Sequence, residues 1–214
     1  MTDSPARRTY RSSIKRGQAR PAILAAAARL FARRGFAATS IDDIAREAGV
    51  ARPTVFAAAG SKPAIFRAVL EAAVAGDEPV APVPELGWMR QLLAIDDART
   101  LLRAFAHQTR VVGERISDLY WAAERAAADD DAVREVWLVI EGGRLGTGAA
   151  IAAHLDTLGP LREDDRAAVT LTLTTIASPA SWRALVRDAG WSPDRFEEWA
   201  GDALIRLLLP EATS

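Results

Sequence analysis

The sequence predicts an all-α protein: an N-terminal three-helix domain containing a helix-turn-helix, followed by a C-terminal helical bundle. Three observations carry that expectation. Apolar residues recur at helical spacing along most of the chain, most cleanly at Phe196, Trp199, Ala200, Ala203, Leu204, Leu207 and Leu208. Start and stop signals bracket these stretches, with hydroxyl residues before them and glycine after. Only Val169 to Thr174 alternates with the period of a strand. No second segment exists to pair with it, and a lone strand leaves its backbone groups unsatisfied, so it too is expected to be helix.

Residues 1–16 carry arginine, serine, threonine and proline with little apolar content, and are expected to form a disordered basic arm. The first helix is expected from Gln18 to Arg34, with Ile23, Ala27, Leu30 and Phe31 on one face and Gly35 as a left-handed cap. Ser40 then caps a second helix, with Asp43 three residues on in a capping-box arrangement and Ile44 and Ala45 facing inward. Ala48-Gly49-Val50 makes a tight turn. A third helix is expected over Arg52–Ala58, with Pro53 in its first turn and Gly60 as its stop. Ser61 caps a fourth helix to Ala75.

Three prolines and two glycines in 76–87 mark a stiff connector. Helices then follow near Trp88–Leu93 and over 97–127, 130–157, 163–189 and 193–209. A break is considered at Gly113, and an interruption is expected at Pro179. The domain reading is an arm over 1–16, a helix-turn-helix domain over 17–62 joined through helix 61–75, and a helical domain over 76–214, to which the resemblance given below assigns ligand binding and dimerisation.

Composition excludes several classes. The chain has 214 residues, half of them hydrophobic, and no cysteine, which removes disulfides and thiolate metal sites. His107 and His154 are too far apart in pattern to suggest a metal site. With no Gly-x-Ser-x-Gly element either, no catalytic residue is assigned and no cofactor is expected. The run Gly142–Gly148 lacks the Gly-Lys-Ser/Thr ending of a phosphate loop. It is read as permitting close helix packing or leaving room for a ligand. No apolar run is long enough to span a membrane, and the basic N-terminus lacks an apolar stretch like that of a signal peptide, so a cytoplasmic protein is expected.

The net charge of −1 hides an asymmetry. Residues 1–70 hold 13 basic and 4 acidic residues, a net +9, whereas residues 71–214 hold a net −10. A basic N-terminal third is an electrostatic footprint for a polyanion. Two short helices joined by a glycine-containing turn, with small Ala45 where they cross and Val50 and Val55 beneath, describe a helix-turn-helix whose second helix can enter a DNA major groove.

The matching residues go further than spacing. Ile23-Leu24, Ala27, Phe31, Gly35-Phe36, Ala38-Thr39-Ser40, Ile44-Ala45, Ala48-Gly49-Val50, Thr54-Val55-Phe56 and Ser61-Lys62 occur in order and at separations that resemble the N-terminal domain of TetR-family transcriptional regulators. The resemblance implies a homodimer on a palindromic operator of double-stranded DNA, and repression relieved by a small-molecule effector in the C-terminal body. It implies that Thr39 and Ser40 touch phosphate, that Arg52, Pro53 and Thr54 face the groove, that Phe56 lies against the backbone, and that Lys62 pairs with a phosphate. Arg20 and the arm residues Arg7, Arg8, Arg11, Lys15 and Arg16 would add phosphate or minor-groove contacts. Departures weaken the reading surface. Ala51 stands where a hydroxyl cap is usual, Phe56 where tyrosine is favoured, and Ala57–Ala59 where larger residues are.

In the C-terminal body, the resemblance places the last helix and the one before it in a dimer four-helix bundle, through Trp182, Leu185, Val186, Phe196, Trp199, Ala203, Leu204, Leu207 and Leu208. A ligand pocket is expected among Trp88, Met89, Phe105, Gln108, Tyr120, Trp121, Trp137, Glu141 and Arg144, where aromatics mix with a few polar groups. Two alternatives remain: a helical adaptor that binds protein, against which the +9 of residues 1–70 argues, and a regulator without a small-molecule ligand.

Overall fold

The computed structural model describes residues 17–211, so the arm expected over 1–16 lies outside the described residues. Among the described residues there is no strand. The helices are α1 (Ala19–Arg34), α2 (Ile41–Ala48), α3 (Arg52–Ala59), α4 (Lys62–Ala75), α5 (Gly87–Leu93), α6 (Ala98–Ala127), α7 (Asp131–Leu158), α8 (Arg166–Ile176), α9 (Pro179–Trp182) and α10 (Pro193–Leu208). Contacts divide the chain into two units, Met1–Val69 and Leu70–Ser214.

In the first unit, α1 buries Ile23, Ala26, Ala27, Leu30 and Phe31. It ends at Gly35, whose φ of 78° and ψ of 173° differ from the expected left-handed cap. The extended ψ carries the chain into Phe36, which folds back onto Phe31 with ring centroids 5.7 Å apart. Phe66 of α4 closes the group, 4.8 Å from Phe31 and 5.2 Å from Phe36. Ser40 and Asp43 form the expected capping box at the start of α2. Gly49 takes the left-handed conformation (φ 68°, ψ 32°) that turns the chain into α3.

The second unit is built on α6 and α7. No break occurs at Gly113. That glycine is buried and faces Trp182 of α9, where a Cβ would lie 2.9 Å from the indole Cδ2. The glycine serves close packing, so the helix has no reason to bend there. The ambiguous segment is α8. The helix accommodates its threonines in part by back-bonding: Thr170 and Thr174 each donate a hydroxyl to the carbonyl four residues earlier, at 2.8 Å. The interruption at Pro179 is a full break, with Ser178 capping α9 and proline in its first turn. A π-helical turn, Arg183–Asp188, follows directly.

Helix α10 packs on α6 and α8 of its own chain. Leu204 and Leu208 enter the main core with Leu101, Leu102, Leu155 and Leu173. Trp182 and Phe196 form a second cluster, centroids 5.0 Å apart, with Leu185, Val186 and Trp199 partly buried against it. This corrects the dimer expectation for Trp182, Phe196, Leu204 and Leu208. All four are buried inside the protomer because α6 supplies the cover that the stripe needs. Of the nine residues expected at that interface, Leu207 remains exposed, at 52%.

Close approach of α7 and α8 depends on Gly148, where a Cβ would lie 2.3 Å from Thr174 Cγ2. The β-branched Thr174 cannot swing away without breaking its bond to Thr170 O. Gly148→Ala is therefore expected to cost about 1–3 kcal/mol in denaturant unfolding. The penalty should shrink in a Thr174→Ser background, which lacks the obstructing methyl.

Candidate nucleic-acid interface

The scaffold residues lie where the spacing placed them. Ile44, Ala45, Val50 and Val55 are buried, and α1, α2 and α3 pack on one another. The N-terminal part of α3 is the outward part. Arg52, Pro53, Phe56 and Ala57 are exposed and Thr54 is half-buried, with Phe56 at 46%. Ala51 occupies the N-cap without a side-chain hydrogen bond, as its methyl requires.

Two expected phosphate ligands have other roles. Thr39 is buried, and its hydroxyl donates to Gly35 O at 2.8 Å. It ties the α1–α2 corner and offers nothing to a phosphate, which corrects the expectation. Lys62 Nζ donates to Phe36 O and Thr39 O, both at 2.9 Å, and stands 4.0 Å from the centre of the Phe36 ring. These bonds make a clasp on the same corner and use two of the three N–H groups of the ammonium. Ser40 is exposed but serves the capping box. Arg20 is exposed and donates to Ala58 O at 3.2 Å, which places it beside the end of α3.

The charge pattern of the domain has a structural basis. Residues 17–69 hold eight basic and three acidic residues, a net +5. Each acid is paired: Asp42 with Arg52 at 2.7 Å, Asp43 with Arg46 at 3.0 Å, and Glu47 with Arg29 at 3.1 Å. The Asp42–Arg52 pair escaped sequence reading. The two residues are ten apart, and only the helix-turn-helix brings them together. Arg52 Cζ also stands 5.7 Å from the centre of the Phe56 ring.

In the C-terminal unit, a cavity of about 200 Å³ is lined by Ser117, Tyr120, Trp121 and Glu124 of α6 with Pro179, Ala180, Arg183, Ala184 and Asp188. The Arg183 guanidinium lies 3.8 Å from the centre of the Trp121 ring. Of the nine expected liners, Tyr120 and Trp121 border this cavity. Met89 and Phe105 are core residues, buried with Leu101 and Leu155. Trp88 packs against that same core, its indole Nε1 buried without a hydrogen-bond partner. Gln108 is half-buried on α6, away from the lining.

Trp137, Glu141 and Arg144 instead form a network behind Tyr120. Trp137 meets the Tyr120 ring edge-on at 4.6 Å, the Tyr120 hydroxyl donates to Glu141, and Arg144 bridges Glu141 to Thr174 O. Burial pushes the Tyr120 phenol up, and the Glu141 carboxylate adds to that shift. Burial also pushes Glu141 up, but the bonds from Arg144 and Tyr120 outweigh it and hold the carboxyl below its usual value. Among the described residues no group of histidines and carboxylates can hold a metal ion, and no helix is long and apolar enough to cross a membrane.

The family model described as "Bacterial regulatory proteins, tetR family" matches residues 23–69, the span of this interface. No curated protein sequence matches the chain. Solved structures share the fold across most of its length. A candidate transcriptional regulator from Saccharomonospora viridis, in complex with choline, is 21% identical with a TM-score of 0.71, covering 92% of this chain and 100% of that one. NalD, the secondary repressor of the MexAB-OprM multidrug efflux pump in Pseudomonas aeruginosa, is 20% identical with a TM-score of 0.70, covering 91% and 98%. The TetR family transcriptional regulator PfmR from Thermus thermophilus is 22% identical with a TM-score of 0.59, covering 86% and 97%.

The capping box gives a pH signature. Hydrogen bonds from the Ser40 side chain, then its backbone N–H, hold the Asp43 carboxyl at about 2, down from 3.8. A depressed folded value contributes stability that is present above the unfolded value and lost as pH falls through the folded one. Asp43→Asn should therefore lower the melting temperature at neutral pH. The gap to the parent protein should close between pH 3.8 and about 2. Separately, Ser40→Ala should destabilise the domain by about 1 kcal/mol in denaturant titrations.

Proposed function

We propose that this tetR-family transcriptional regulator is a repressor that binds a palindromic operator as a homodimer and releases it when a small molecule enters its C-terminal unit. One observation carries the reading. The outward face of α3 sits on a domain of net charge +5 whose carboxylates are all paired. Such a surface favours a phosphate backbone, and a short helix with exposed Arg52 and Pro53 fits a major groove. The matched tetR domain over 23–69 supports the same assignment. The protein acts in the cytoplasm, where its DNA is.

The subunit contact is best supported on α7. Leu138, Gly142, Leu145 and Ala149 recur on one helical face and all are exposed, Leu138 at 62%. Gly142, Gly143 and Gly146 meet no atom within 4 Å, so a second helix can approach the backbone closely there. An apolar face of this kind calls for cover, and a two-fold copy supplies it. The effector site is the cavity at Tyr120 and Trp121, and the choline complex of the Saccharomonospora viridis relative supports a small-molecule site in this fold.

Selection of duplexes from a randomised pool by the purified full chain tests DNA binding. An inverted repeat with half-sites about one helical turn apart is the expected outcome. No enrichment, and no retention of any duplex at low salt, would sink the reading. Arg52→Ala is expected to cost about 1–3 kcal/mol on the selected duplex. Leu138→Glu combined with Leu145→Glu should convert a dimer to a monomer in light scattering, and a monomeric parent protein would refute the α7 interface.

A further inference from the structure

Asp42 stands on the exposed side of α2 and accepts a hydrogen bond from Arg52 Nη1 through Oδ2, at 2.7 Å. Both side chains are more than half exposed, at 56% and 57%. The fold does not need the pair. Ser40 and Asp43 cap α2 without it, and Ile44, Ala45, Val50 and Val55 make the scaffold. An exposed ion pair contributes little stability. On a surface that faces phosphate, a carboxylate also repels the ligand. Asp42 therefore weakens DNA binding in general, and it does so beside Arg52, the one charged residue of α3.

We infer that Asp42 is a positioning residue that makes this interface selective, by withholding Arg52 from phosphate and steadying it for a guanine edge. The inference rests on the DNA-binding reading above. A guanidinium carries five N–H donors, and the bond to Asp42 uses Nη1, leaving Nε and Nη2 to point elsewhere. A loose arginine would seek any phosphate and add a contact that carries no sequence information. Held by Asp42, Arg52 brings a carboxylate up to any phosphate it meets, and that carboxylate repels the polyanion. Guanine O6 and N7 accept two N–H groups in one plane, which an already ordered guanidinium meets with less entropy lost. Phe56 also stands beside Arg52, its ring centre 5.7 Å from Cζ. The neighbouring charges do not compete, since Asp43 is engaged by Ser40 and Arg46.

The test compares the full-length parent protein with Asp42→Asn, Asp42→Glu and Arg52→Ala on two probes: the duplex enriched by selection and a random-sequence duplex of equal length. Asp42→Asn is expected to bind the random duplex roughly 3- to 10-fold tighter, with its salt dependence steeper by about one charge. Affinity for the selected duplex should change less, so the ratio of the two affinities falls. Asp42→Glu should keep most of the ratio. In an Arg52→Ala background, Asp42→Asn should leave the ratio unchanged. Equal gains on both probes would reduce Asp42 to bulk charge and overturn the inference. A lower melting temperature with the ratio intact would reduce it to a helix-start residue and overturn it as well. If the parent protein selects no duplex and retains none at low salt, the DNA-binding reading has failed first. If it selects a site and Asp42→Asn keeps the ratio, the inference alone has failed.

Discussion

The corner between α1 and α2 holds α2 and α3 in place. Phe36 turns back onto Phe31 and Phe66, and Lys62 then closes over the Phe36 ring while binding the carbonyls of Phe36 and Thr39. Thr39 adds a bond to Gly35 O from inside. A cation that satisfies two carbonyls and faces an aromatic ring is strongly ordered. The start of α2 is set by this corner, and α3 follows α2 through a single glycine turn. The placement of α3, and Arg52 with it, thus follows from a corner built on this aromatic cluster. It also explains why Thr39, expected on phosphate, is found inside: the corner needs its hydroxyl bond to Gly35 O.

The ion pairs of this domain do a different job from the corner. Arg29–Glu47, Arg46–Asp43 and Arg52–Asp42 are largely solvent-exposed, and such pairs add little to stability. Their effect is on the field. With every carboxylate of the folded domain neutralised locally, the remaining cations present a net positive surface. On the proposed reading, α3 has few groups for direct readout. Ala51 gives no cap, Ala57 and Ala58 offer only methyls, and Phe56 offers no hydroxyl. A surface with strong general attraction and few reading groups binds DNA readily but discriminates poorly, unless something suppresses the general part. A carboxylate beside the one arginine of α3 acts in that sense.

What was legible in the sequence was local. The Ser40–Asp43 box, the turn at Gly49, proline in the first turn of α3 and the break at Pro179 depend on neighbours in the chain, and each is found as read. The helical state of 169–174 followed from the absence of a pairing partner, and the threonine back-bonds show how the helix accommodates those residues. What was hidden depends on residues distant in sequence. Gly113 reads as a flexible point until Trp182 is known to lie against it. Lys62 reads as a surface cation until Phe36 is beneath it. The π-helical turn after Trp182 carries no composition signal, because its residues are ordinary helix formers.

The same limit governs which helical face meets another subunit. The stripe on α10 is wide and strongly apolar, and such a stripe needs cover on more than one side. Periodicity cannot say whose atoms provide it. Here α6 and α8 of the same chain do, leaving Leu207 outside. The exposed face of α7 gives a weaker hydrophobic pattern because glycines interrupt its leucines. Yet glycines on an exposed helix face lower helix stability, so a sequence that keeps three of them in two turns needs a reason. Gly148 has one inside the protomer, in Thr174. Gly142, Gly143 and Gly146 meet no atom there, and the partner helix proposed for this face would use that space and cover Leu138 and Leu145 as well.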